Sequence, residues 1–257
     1  MLLVVDIGNT NIVFGLYSGD NLVHKWRLSS DINKTANDYA IDLVELCLNH
    51  HVDFLQINGS IIASVVPSLT NKIYDAIKKL ANNQLKIFVI GDGNTKINID
   101  IALKNKNEIG HDRLVNAIAG YKKFGGNLAI VDFGTATTID VVGGNGEYLG
   151  GIIACGVNLA LKALHEQTAQ LPKINNKVQK NVIGKNTIEA LNSGSYFGTV
   201  ALVSGLLNKI DVELNIATTK IITGGLAETF KDALKNNIHH HQPNLTLDGL
   251  KIIFQQQ

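Results

Sequence analysis

The chain has 257 residues, with 23 lysines and arginines against 22 aspartates and glutamates, and a formal net charge of +1 with histidine neutral. That balance gives no general basis for nucleic-acid binding, and 45% hydrophobic residues over this length can fill one large core or two smaller ones. Two cysteines, Cys47 and Cys155, are too few for a disulfide framework.

The apolar start, Leu2 to Val5, runs straight into Asp6. It has no basic leader and no long apolar stretch, so neither signal peptide nor membrane anchor is expected, and the expected compartment is the cytoplasm. After Asp6-Ile7-Gly8-Asn9-Thr10-Asn11 comes a second apolar run, Ile12 to Tyr17. Gly19-Asp20-Asn21 signals a turn, and Leu22 to Leu28 reads as a third strand. Connections this short predict an antiparallel meander, because parallel neighbours need a longer crossover. Thr35 to His50 carries helical spacing, with Ala36, Tyr39, Ala40, Leu43, Val44 and Cys47 on one face. A strand over Ser60 to Ser64, a helix over Ser68 to Leu80 and a strand over Leu85 to Ile90 complete an α/β lobe with a mixed sheet.

Residues 91–107 read as a polar loop with one weak strand at Ile97-Ile99-Ile101. Gly110-His111-Asp112-Arg113 opens a helix through Tyr121, and Gly125-Gly126 ends it. The opening pattern then recurs. Leu128 to Val131 leads into Asp132-Phe133-Gly134-Thr135-Ala136-Thr137-Thr138, followed by Ile139 to Val142, a turn at Gly143 to Gly146 and an apolar run from Tyr148 to Ile153. Two Asp-x-Gly turns, each between two apolar runs, predict two lobes with the same opening, residues 1–115 and 116–257. The last helix is expected to pack back on the first lobe. Further on, helices are expected over Gly156 to Gln167, Thr187 to Lys209 and Leu226 to Asn236, with a strand from Ala217 to Thr223 and fraying at Gln255 to Gln257. Gly194, Gly198 and Gly205 interrupt the long helix, so something packs close to its backbone or it bends.

Gly8 would let the backbone approach a ligand or take positive φ. The N–H groups around it, with Asn9 and Thr10, are donors suited to phosphate oxygens, and a divalent cation would reconcile Asp6 with that charge. Taken alone, the same segment reads more readily as a turn capped by its own side chains. In the second turn the threonines read either as phosphate ligands or as β-branched strand filling. Facing turns in two lobes, with Gly224-Gly225 after a third strand admitting a base or ribose, would hold a nucleotide polyphosphate. No Walker A loop or Gly-x-Gly-x-x-Gly competes, since Gln179 and Asn186 spoil the Gly184-Lys185 match. Asp112 reads as a helix cap beside a solvated Arg113, or as a base for an acceptor alcohol beside a guanidinium that grips it. His50-His51 and His239-His240-His241 lack any zinc-type pattern and are expected to be polar surface. Cys47 reads as a core thiol.

Taken in order, Asp6 to Asn11, Gly110-His111-Asp112-Arg113, Asp132 to Asp140, Gly150-Gly151-Ile152-Ile153 with Gly156, Thr187, Thr223-Gly224-Gly225 and Leu245 to Leu250 resemble the bacterial type III pantothenate kinases of the actin, sugar kinase and Hsp70 superfamily. The resemblance covers essentially the whole chain. It implies an α/β protein of two ribonuclease-H-like lobes with mixed sheets and a cleft between them, working as a homodimer with the site near the subunit interface. It implies transfer of the γ-phosphoryl of ATP to the 4′-hydroxyl of pantothenate, the first step of coenzyme A synthesis, with neither nucleic acid nor membrane as partner. Asp6, Gly8, Asn9, Thr10 and Asn11 would handle phosphate, with Mg²⁺ near Asp6. Asp112 would be the general base, and Gly110, His111 and Arg113 would meet pantothenate, as would Thr187 from the partner subunit. Asp132 would hold a monovalent cation, K⁺ or NH₄⁺, Gly134 and Thr135 would form the second phosphate turn, and Gly224 and Gly225 the adenosine end. Leu103 stands where such kinases often carry a tyrosine. The competing readings are a kinase of another small hydroxylated metabolite, a phosphohydrolase on the same scaffold, and a non-catalytic regulatory relative.

Overall fold

The computed structural model describes residues 1–81, 85–105 and 108–257. The chain divides into two compact units: Met1–Asn98 with Asn107–Ala119 and Thr246–Gln257, and Ile99–Lys106 with Gly120–Leu245.

In the first unit, β1 (Leu2–Ile7), β2 (Asn11–Ser18) and β3 (Asn21–Ser29) form the antiparallel meander. After α1 (Ala36–Asn49) the chain returns as β4 (Gly59–Ser64), parallel to β1, and after α2 (Pro67–Leu80) as β5 (Lys86–Val89), parallel to β4. The sheet order is β3-β2-β1-β4-β5. α1 starts in a capping box: the Thr35 hydroxyl accepts the Asp38 N–H, and the Asp38 carboxylate accepts the Thr35 N–H at 2.7 Å. Pro67 occupies the first turn of α2, where its missing N–H costs nothing. Leu3, Val5 and Ile7 alternate into one core with Tyr39, Leu43 and Cys47 of α1 and Leu69, Ile73 and Ile77 of α2.

α3 (His111–Phe124) precedes the second sheet. There β6 (Leu128–Phe133), β7 (Ala136–Val142) and β8 (Tyr148–Cys155) repeat the meander. α4 (Val157–Glu166) and α5 (Thr187–Leu214) follow, then β9 (Thr219–Thr223), parallel to β6, the short α6 (Ala227–Phe230) and β10 (His240–His241), parallel to β9. The order β10-β9-β6-β7-β8 reproduces that of the first sheet, two mixed ribonuclease-H-like sheets in one chain. The repeat reaches the irregularities. Register shifts fall between Leu16 and Tyr17 against β3, and between Val141 and Val142 against β8. α7 (Leu245–Phe254) lies mostly in the first unit.

Several expectations change. The Ile97–Ile101 strand is only a bridge between Ile101 and Tyr148, and the far end of that expected loop, Lys106 and Asn107, lies outside the described residues. α5 runs past Lys209 to Leu214, where Asn215 in the left-handed region (φ 52°) closes it. Its glycines neither break it nor face a neighbour: a Cβ at Gly194, Gly198 or Gly205 would meet nothing within 4 Å in this chain. α6 stops at Phe230, and residues 231–237 continue as turns that bury Leu234. The His239 run is partly strand, with the His240 ring stacked 4.1 Å from Phe124. Gln257 does not fray. Its side-chain amide accepts the Lys96 N–H and donates to the Lys96 carbonyl, both at 3.0 Å. Among the described residues no helix is long and apolar enough to cross a membrane.

Candidate active site

The first unit gathers nine of the fifteen candidate residues at the carboxyl end of its parallel strands, the end at which open α/β sheets present ligand sites. Asp6 sits one residue before the end of β1, in register with Ala63 of β4. Because Leu3, Val5 and Ile7 face α1 and α2, alternation puts Asp6 on the opposite face with Val4. α7 covers that face at Leu247, close against Gly15, and α7 is in turn pressed on α3, with Gly249 near the Val115 carbonyl.

The turn itself, Gly8 to Asn11, closes by the Gly8 N–H donating to the Asn11 carbonyl at 3.0 Å. Asn9 and Thr10 are exposed. Gly8 does not take positive φ, contrary to one of the two options drawn from sequence. A Cβ there would lie 3.3 Å from the Asn11 oxygen, so its smallness serves close approach. The end of the meander braces the turn from outside: the Ser30 hydroxyl donates to the Gly8 carbonyl at 2.6 Å, and the Ser30 N–H to the Thr10 carbonyl at 3.0 Å. Sequence reading passed over Ser30. The β2–β3 register, which sets Ser29 opposite Asn11, is the signal that could have found it.

Asp112 lies in the first turn of α3. The Arg113 N–H donates to Asp112 Oδ1 at 3.0 Å, so the carboxylate curls back over the helix start. That curl needs Gly110, where a Cβ would sit 2.5 Å from Oδ1. Gly110 also approaches Val65, and the Val65 N–H donates to the Ile7 carbonyl at 3.0 Å. Asp6 and Asp112 therefore share one end of the sheet. His111 packs its ring over Gly91, and Arg113 is half-buried.

The second unit builds its own cluster around Asp132, which is in register with Thr138 of β7 and Thr223 of β9. Gly224 has φ +95°, and a Cβ there would fall 2.4 Å from Asp132 Oδ1 and 2.5 Å from the Phe133 nitrogen. The Gly134 N–H donates to the Ala136 carbonyl at 3.0 Å, closing a turn one residue tighter than its counterpart at Gly8. Thr135 is exposed. Gly156 caps α4 directly beneath this turn, with a virtual Cβ 1.9 Å from the Thr135 carbonyl oxygen, so the N-terminus of α4 adds backbone donors suited to an anion. Gly225 is exposed beside it. Asp132, Gly134, Thr135, Gly224 and Gly225 are thus brought together.

Thr187 is not joined to that cluster by any hydrogen bond among the described residues; it opens α5, exposed. The Gly184-Lys185-Asn186 segment before it is a helix cap, in which Asn186 Oδ1 accepts the Glu189 N–H at 2.9 Å and Glu189 accepts the Lys185 N–H at 2.8 Å.

Asp6 and Asp132 each offer a carboxylate next to a turn of backbone oxygens, a hard donor set that fits Mg²⁺ or K⁺. Among the described residues no group of three or more His, Cys, Asp or Glu gathers for a metal, so a cation here would take its remaining oxygens from the nucleotide and water.

A family model described as type III pantothenate kinase matches residues 2–209. A type III pantothenate kinase from Exiguobacterium is 43% identical over 256 residues, covering 100% of this chain and 99% of its own. One from Paramagnetospirillum magneticum is 42% identical over 252 residues, covering 97% and 95%. Among solved structures, a Baf family protein from Campylobacter jejuni superposes with a TM-score of 0.61 at 20% identity, over 99% of this chain and 98% of that one. An inorganic polyphosphate/ATP-glucomannokinase from Arthrobacter gives 0.52 at 15% identity, over 100% and 99%. At those identities the structural likeness speaks for the fold.

Proposed function

The chain belongs to the type III pantothenate kinases, and from that premise we propose how its residues divide the work. The enzyme phosphorylates pantothenate at its 4′-hydroxyl with ATP, opening coenzyme A synthesis. In our reading Asp112 is the general base. It takes the proton of the 4′-hydroxyl as that oxygen attacks the γ-phosphorus, while the bond to the β-phosphate oxygen breaks and ADP leaves. The observation that carries this is the Asp112 carboxylate, curled over Gly110 at the same sheet end as Asp6 and the Gly8–Asn11 turn.

Gly110 and Arg113 flank the acceptor, Arg113 through its fixed fork of donors. The N–H groups of the two turns, with Asn9, Thr10, Asn11 and Thr135, bind phosphate oxygens and meet charge building in the transition state. Gly224 and Gly225 leave room for the adenosine end. Asp6 would hold Mg²⁺ and Asp132 a monovalent cation, K⁺ or NH₄⁺. When bound, these ions supply charge neutralisation along the polyphosphate.

The working form is proposed as a homodimer joined through α5. Gly194, Gly198, Ala201 and Gly205 recur at spacings of four, three and four residues, all exposed, with open space in this chain above each glycine. Such a seam lets two helices approach closely. Thr187, on the same helix, would then reach the pantothenate of the partner subunit.

A coupled ADP-release assay tests the base. Asp112→Asn is expected to lower turnover by about 10²- to 10⁴-fold while ATP binding persists. Wild-type turnover in that variant would remove Asp112 from the role. Phosphate release without pantothenate would instead favour a phosphohydrolase.

A further inference from the structure

His111 stands between Gly110 and Asp112, and its ring is seated on a bare stretch of backbone. A Cβ at Gly91 would fall 2.3 Å from the ring Cε1 and 2.6 Å from Nε2, so any side chain there would push the ring off its seat. Gly91 has φ +92°, a conformation that side chains rarely adopt, so the position is glycine for two separate reasons. The seat is also fixed. The Ile90 N–H donates to the Ile62 carbonyl of β4 at 2.9 Å, and beyond Gly91 the Asp92 carboxylate accepts the N–H groups of Asn94 and Thr95 at 2.8 and 2.9 Å. Neither nitrogen of the His111 ring makes a hydrogen bond among the described residues. What the ring contributes is therefore a flat surface against a rigid one.

We propose that His111 is a positioning residue: its ring, wedged on Gly91, locks the first turn of α3 to the end of β5 and so aims the Asp112 carboxylate at the acceptor hydroxyl. The proposal rests on Asp112 being the base. It replaces direct substrate contact by His111 with action through shape. Alignment of this kind shows in turnover rather than in nucleotide binding, because misplacing a reacting group by about 1 Å costs up to ~10²-fold in rate.

The test measures kcat and KM for both substrates, with thermal unfolding alongside, in His111→Ala, His111→Phe, His111→Gln, Gly91→Ala and Asp112→Asn. Phe keeps a flat ring without nitrogens, and Gln keeps polarity without a ring. His111→Ala, His111→Gln and Gly91→Ala are expected to lose about 10-fold or more in kcat with KM for ATP unchanged, and His111→Phe to stay within about 3-fold of the parent. Recovery by Gln and not by Phe, or parental kcat in His111→Ala, would overturn the proposal. A loss confined to unfolding temperature, with kcat of the folded enzyme intact, would overturn it as well. Asp112→Asn separates the two layers: if it is inactive while His111→Ala is not, only the positioning role falls, and if it is active, the base assignment itself has failed.

Discussion

Gly224 carries two demands at one atom. Its φ of +95° suits glycine alone, and any Cβ would overlap both the Asp132 carboxylate and the Phe133 backbone. Gly224→Ala is therefore expected to cost about 1–3 kcal/mol through backbone strain and to displace Asp132, read as a lower unfolding temperature together with weaker ATP binding. An unchanged unfolding temperature would contradict that crowding. At this scale the sequence was legible where a motif marks a place in the fold: the paired Asp-x-Gly turns fall between strands, Asp112 and Arg113 open α3, and Gly224-Gly225 follow β9. It was illegible where a residue acts through register or shape. Ser30 belongs to no motif and matters because the meander ends beside the first turn. His111 and Gly91 are twenty residues apart and meet only once β5 and α3 are in place.

At the scale of elements, periodicity located α1, α2 and β1 to β9 closely but not β10, and the strand expected at Ile97–Ile101 did not form, while ends depended on individual caps. α5 outran its expected end because Asn215 takes the left-handed conformation there, and the glycines within it face open space. The repeated turn also differs in length. The Gly8 N–H reaches Asn11 but the Gly134 N–H reaches only Ala136, which the matching letters do not reveal. α7 is held to the first sheet by a polar contact under its apolar face: the Tyr17 hydroxyl donates to Asp248 Oδ1 at 2.6 Å, and Lys251 pairs with Asp20 at 2.9 Å. Burial, and then the Asp248 carboxylate, push the Tyr17 phenol above its ordinary value of 10.0. The stability linked to that proton is complete below pH 10.0 and declines as pH rises further, where the unfolded chain releases the proton and the folded chain keeps it. Tyr17→Phe is expected to lose about 1–3 kcal/mol at neutral pH, with the gap to the parent narrowing on the alkaline side in denaturant titrations. A gap independent of pH would mean that the folded chain holds the Tyr17 proton no more tightly than the unfolded chain does.

For the whole molecule, the two sheets share strand order, strand direction and the place of a register shift. Few residues match between the halves, yet the repeat was visible because Asp-x-Gly between apolar runs recurs. The shared register shift was not visible, since Val23 and Leu149, the residues it skips, carry no turn signal. The proposed dimer belongs to this scale too. Gly198→Glu puts a charged side chain where this chain has free space, and glutamate favours helix over glycine by roughly 0.5–1 kcal/mol, so the subunit should fold at least as well. Sedimentation is expected to show monomers, with pantothenate-dependent activity lost alongside. A dimer that persists would place the interface elsewhere.

The cysteines of this chain differ in a way that offers a spectroscopic handle. Cys47 is buried, and burial followed by the nearby Asp53 pushes its thiol up, away from the reactive thiolate. Cys155 is exposed at the end of β8, in register with Ala136 and next to the glycine beneath the Thr135 carbonyl. A maleimide dye would thus attach at Cys155 without any engineered site, and its emission would change with ATP in the native sequence if the Gly134–Ala136 turn binds phosphate as proposed.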